Sequence, residues 1–157
     1  MRIRHGGASP TIRAREMSDM TGRTILARVS VQLGHGRVKT LAELVDGWVQ
    51  HVDRLHGERH SATEHPHVWG AHDYLAALHL RTMVASGLGQ QGTAVREVAD
   101  TLMTKADDKF LSFTEPDPEH VVERFANQRH DDSEWWWHRI PTSGPVRVEL
   151  LQVVNGV

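Results

Sequence analysis

Three consecutive tryptophans, Trp135, Trp136 and Trp137, stand in Ser-Glu-Trp-Trp-Trp-His-Arg-Ile-Pro at residues 133–141, and no regular backbone points all three rings one way. In a strand Trp136 opposes its neighbours, and in a helix the rings fan out by about 100° per residue. The segment must therefore be covered on two sides. Each indole carries a large apolar surface and one N–H that needs a partner. Trp135 and Trp137 are expected in the core, leaving Trp136 as the odd ring, available for a contact if it is exposed.

Helical periodicity dominates the rest of the chain. Thr40 and Glu43 have capping-box spacing, and Leu41, Leu44, Val45, Trp48, Val52 and Leu55 follow one helical face up to a stop at Gly57. A second helix is expected over residues 68–86, apolar on two faces and hence central, and a third over 93–110, with Asp107 and Asp108 on its solvated side. Asp117-Pro118-Glu119 should open a short helix over 118–127. Period-two alternation of Ile25, Ala27, Val29, Val31 and Leu33 favours a strand over 24–33. The segments 135–140 and 146–154 flank Pro141-Thr142-Ser143-Gly144-Pro145 and suit a hairpin, although Val146, Leu150 and Val153 also fit a helical face. The expected fold is mainly α, with α+β as the alternative: a core resembling a bundle of three to four helices, with a small C-terminal β element.

The chain has 157 residues, 39% of them hydrophobic and 24% charged, which suits one domain, expected over residues 21–157. Residues 1–40 carry a net charge of +6 and residues 41–157 one of −8. The first 20 residues read as a disordered basic arm. Arginine outnumbers lysine fifteen to three, a bias that weakens any argument for nucleic-acid binding through this arm. No apolar run approaches the roughly 20 residues of a membrane span, no secretory h-region is present, and cysteine is absent. A cytoplasmic location without membrane contact is expected.

Chemistry is sparsely signalled. Seven of the twelve histidines fall between residues 51 and 79, and histidine is the commonest metal ligand. No His-Glu-x-x-His or other zinc signature occurs, so a metal site would have to be assembled between helices from His51, His56, His72 and His79. No nucleophile elbow or phosphate loop is found, so catalysis is left open. The leading expectation is a small non-catalytic interaction or regulatory protein. It would need no cofactor and would dock a protein partner or a second copy through Trp135, Trp136, Trp137, His138 and Arg139, since Trp and Arg are enriched at energetic centres of interfaces. The first alternative is a helical-bundle hydrolase or transferase using a divalent transition metal such as zinc; nucleic-acid binding through the arm is the second.

Overall fold

The computed structural model describes residues 10–63 and 65–156. It is mainly helical, with two small antiparallel sheets: α1 Pro10–Leu26, β1 Ser30–Gln32, β2 Val38–Thr40, α2 Leu41–Glu58, α3 Ala71–Gly89, α4 Thr93–Phe113, β3 Thr114–Pro116, α5 Val121–Ala126, a 3₁₀ turn Trp135–His138, β4 Arg139–Pro141 and α6 Pro145–Asn155. β1 pairs with β2, and β3 with β4.

The capping box sets the start of α2. The Glu43 N–H donates to Thr40 Oγ1 at 3.2 Å and the Thr40 N–H donates to Glu43 Oε2 at 2.7 Å, so two otherwise free helix N–H groups are paired. All six apolar positions expected on its inner face are buried. Gly57 does not stop the helix, which runs to Glu58. The central position belongs to α2, not α3: α2 packs against both α3 and α4 and also touches α1, while α3 carries α6 and the tryptophan turn on its other contacts. Trp48, Tyr74 and Phe110 form the aromatic middle of this core, with Trp48 and Phe110 ring centroids 5.2 Å apart and Tyr74 stacked on Phe110 at 6.0 Å.

Asp107 faces inward rather than solvent. Its Oδ1 accepts the Trp48 indole N–H at 2.8 Å and the Arg81 Nε–H at 3.2 Å, and its Oδ2 accepts from Arg81 Nη2 at 3.0 Å. A buried indole needs an acceptor, and the fork of one guanidinium completes the carboxylate.

Two expectations fail for tertiary reasons, and the open choice between strand and helix at residues 146–154 is decided. The strand over 24–33 shrinks to Ser30–Gln32, because Leu26 is fully buried at the end of α1 while Ile25 is exposed, the reverse of the alternation. The residue 135–140 and 146–154 hairpin does not form: β4 pairs with β3, in the register Glu115 opposite Ile140, and 146–154 lies within α6. There Pro145 takes the first helical turn and Val146 and Leu150 are buried one turn apart. Gly144, at φ 93°, lies where a Cβ would run into the Arg59 carbonyl. The short helix begins at Val121 rather than 118, since Asp117 turns its carboxylate onto the Val122 N–H at 2.9 Å. Of the expected basic arm, residues 1–9 lie outside the described residues and the rest belongs to α1.

Asp107→Ala is expected to lower stability by about 1–3 kcal/mol, because it strips both Trp48 and Arg81 of their acceptor. Urea denaturation measures this, and a loss below about 0.5 kcal/mol would show that water replaces the carboxylate.

Candidate metal centre

The tryptophan segment forms a 3₁₀ turn, so its rings fan out by about 120° per residue. Trp137 is fully buried and Trp136 is 3% exposed, leaving Trp135 as the partly exposed ring. The odd ring is therefore Trp135. Both buried indoles use one acceptor: Trp136 Nε1 and Trp137 Nε1 donate to Thr82 Oγ1 at 3.0 and 2.9 Å. With both lone pairs taken, the Thr82 hydroxyl donates to Glu134 Oε1 at 3.1 Å. Arginine does meet these rings, but it is Arg81 from α3, 4.5 Å from the Trp136 centroid. Arg139 is committed to β3, donating from Nε to Thr114 Oγ1 at 2.8 Å and from Nη2 to the Thr114 carbonyl at 2.7 Å. Of the five residues expected to dock a partner, two are buried, Arg139 is engaged and His138 belongs to the site described next.

The four expected metal ligands are not brought together. His51 bonds the Gly47 carbonyl through Nδ1 at 2.8 Å and lies against Trp69; His56 lies against Phe113, His72 against Phe125 and His79 against Trp137. Each thus packs on a different aromatic ring. The His79 pKa is lowered, mainly by desolvation and further by the nearby His130.

Among the described residues, one group of three metal-binding side chains converges: His120, Glu123 and His138, with ligand atoms within 4.8 Å of one another. Glu123, on α5, is buried. Its Oε2 accepts the His130 backbone N–H at 2.7 Å, while its Oε1 faces His120 Nδ1 at 2.8 Å and His138 Nδ1 at 3.2 Å. Desolvation opposes ionisation of Glu123, but the His130 N–H, the His120 hydrogen bond and the charges of His138 and His120 outweigh it, so its pKa is lowered.

The tautomer of His138 is fixed by its other partner. Its Nε2 lies 3.0 Å from the Asp131 carbonyl, which can only accept, so Nε2 carries the proton. In the neutral ring Nδ1 then presents a lone pair to a carboxylate oxygen, and two acceptors in contact require a cation between them. That cation is either a second proton or a metal ion. An imidazole that donates its remote N–H to a carbonyl is also how metal-bound histidines are held. The Asp131 turn is itself braced: the Ser133 N–H donates to Asp131 Oδ1 at 2.8 Å, and the Ser133 hydroxyl and N–H bonds hold the Asp131 carboxyl below its ordinary range.

Two donors each about 2.0–2.1 Å from one ion lie about 2.9 Å apart at right angles and about 3.3 Å apart at the tetrahedral angle. The separations of 2.8 and 3.2 Å from Glu123 Oε1 match these edges. The His120 and His138 donor atoms lie within 4.8 Å of each other, against a span of at most about 4.2 Å for two donors of one ion, so closing the third edge requires a shift of the His120 side chain, which is 60% exposed. His120 occupies the left-handed region at φ 54° and ψ 38°, a conformation that costs a non-glycine residue about 1 kcal/mol or more and is held by its surroundings. Here the surroundings are the His120 N–H bond to the Asp117 carbonyl and the Arg124 N–H bond to the His120 carbonyl.

Behind the group lies His130. Its ring is stacked flat on Trp137, with centroids 3.8 Å apart and planes 5° apart, and its Nδ1 bonds Glu134 Oε2 at 2.9 Å. Nδ1 donates to that carboxylate. Nε2 is buried with no protein partner among the described residues. A cleft of about 510 Å³ is lined by His120, Glu123, His130 and His138 together with Arg124 and Arg129. The one sequence signal for this site was the three-residue spacing of His120 and Glu123, which reads as an ordinary first helical turn beside the denser histidines of 51–79. No family model, no curated protein and no solved structure matches this chain, so only the geometry speaks to function.

Thr82→Val is expected to destabilise the fold by about 2–4 kcal/mol, since it leaves two buried indole N–H groups unpaired; equilibrium denaturation tests this, and a loss under about 1 kcal/mol would mean that the indoles find other acceptors. In metal-free protein, the lowered pKa of Glu123 contributes stability that is present above its ordinary value of 4.5 and is lost as pH falls through the lower folded value. Glu123→Gln should flatten that acid limb when stability is compared between pH 6 and pH 3, and an unchanged limb would assign it to other carboxylates.

Proposed function

We propose that this protein is a metal-dependent enzyme of hydrolytic type, in which His120, Glu123 and His138 hold one divalent transition ion such as zinc. The observation that carries the reading is the convergence of two imidazole Nδ1 atoms on one oxygen of a buried carboxylate, with the far nitrogen of His138 tied to a carbonyl. Two histidines and one glutamate are a known catalytic ligand set: three protein ligands leave a position for water, whereas structural zinc sites are closed by four. Bound there, the ion would act as a Lewis acid and lower the pKa of a bound water. The cleft lined by His120, Glu123 and His138 gives a substrate access to the ion. The donor set of nitrogen and carboxylate oxygen also suits manganese or iron(II), so the identity of the ion is part of the test.

Calorimetric titration of chelator-stripped protein with zinc, manganese and iron(II) is expected to show one equivalent bound. Affinity should fall as pH drops through the imidazole range, because protons compete for the same lone pairs. His138→Ala and Glu123→Gln should each weaken binding by at least about 100-fold, while His51→Ala and His72→Ala leave it unchanged. Retention of full affinity in Glu123→Gln, or loss of the ion in His72→Ala, would remove the assignment.

A further inference from the structure

The cleft contains two cations besides the proposed ion. Arg124 directly follows Glu123 in α5, and Arg129 sits between two residues whose backbone N–H groups are both fixed on Glu123: Gln128 donates to the Glu123 carbonyl at 3.1 Å and His130 to Glu123 Oε2 at 2.7 Å. Asn127, at φ 51°, lets the chain reverse between them. One residue therefore offers a ligand to the ion and positions the backbone of both arginines on the rim of the same cleft. Both side chains are exposed, and neither has a carboxylate within ion-pair distance among the described residues. By contrast Arg54, Arg81 and Arg147 are each neutralised by a neighbouring acid.

We propose that Arg124 and Arg129 form a phosphate-binding subsite beside the metal ion, so that the substrates are phosphoryl compounds; the proposal rests on the metal reading above. A guanidinium offers a planar fork of donors matched to paired anionic oxygens and gives up water more readily than an ammonium. A phosphoryl group has enough oxygens to meet two forks and an ion at once. A carboxylate, with two oxygens, cannot satisfy all three. Glu119 and Asp132 also line the cleft, so no diffuse positive field gathers anions there. Selectivity must come from direct guanidinium contact, which makes binding sensitive to each arginine.

The test measures inorganic phosphate binding by calorimetry to zinc-loaded and to zinc-free protein, in the wild type and in the Arg124→Gln, Arg129→Gln double variant, with acetate as the comparison anion. Both substitutions are at exposed positions, and an unchanged melting temperature checks that folding is preserved. The expected result is phosphate binding that weakens at least about tenfold in the double variant while its zinc affinity stays the same, with acetate binding far more weakly. Equal phosphate affinity in the two proteins, or acetate binding as well as phosphate, overturns the subsite. Failure of the metal reading looks different: no zinc binds, while arginine-dependent phosphate binding persists in zinc-free protein and sustains the subsite alone.

Discussion

Two indole N–H groups buried side by side demand acceptors, and Thr82 supplies one oxygen to both. That choice propagates. With its lone pairs filled, the hydroxyl must donate, and Glu134 is the acceptor. Glu134 in turn takes the Nδ1 proton of His130, and the Trp137 face fixes the plane of that ring. Once His130 is pinned, its backbone N–H engages one oxygen of Glu123 and leaves the other turned toward His120 and His138. The geometry of the cleft thus depends on a threonine of α3 that touches none of the proposed ligands.

This dependence explains why the tryptophans are adjacent. A 3₁₀ turn of three bulky rings can present two of them to α3 and the third to the α4 side, where Trp135 meets Phe110 at 6.0 Å. Arg81 closes the arrangement from α3, held by Asp107 on α4 while its guanidinium lies over Trp136. The aromatic segment is therefore a brace between α3, α4 and α5, and the rigidity it imparts is what a metal centre requires of its surroundings. Two of the three rings, Trp136 and Trp137, are buried in this brace.

How much of this was legible in the sequence follows from the range of each interaction. The capping box at Thr40 and the apolar face of α2 involve residues a few positions apart, and both were read correctly; the second and third helices were found in place, but the second runs over Ala71–Gly89 rather than 68–86. The exchange of strand for helix at residues 146–154 was decided by Pro145 and by which valines find a neighbour, and Leu26 by its packing at the end of α1. Both depend on distant contacts, which a period cannot register. The inward turn of Asp107 follows from the need of Trp48, 59 positions away in the chain. The candidate site lay hidden for the same reason. His120 and Glu123 are near neighbours, but His138 joins them only because β4 pairs with β3, placing the His138 carbonyl 2.9 Å from the Asp117 N–H.

Local rules are broken in one neighbourhood more than elsewhere. His120 holds a left-handed backbone, His138 points a nitrogen at a carboxylate when its other nitrogen is already a donor, and His130 buries a nitrogen without a protein partner. Each is a cost, and stability alone gives no reason to gather three of them around one cleft. Away from it His35 is the one other non-glycine residue with a left-handed backbone among the described residues. A cation between His138 and Glu123 removes the second anomaly outright and gives the first a purpose, because the left-handed turn is what swings His120 Nδ1 to the same oxygen. The third remains: His130 Nε2 stays buried beside Trp137 without a protein partner among the described residues.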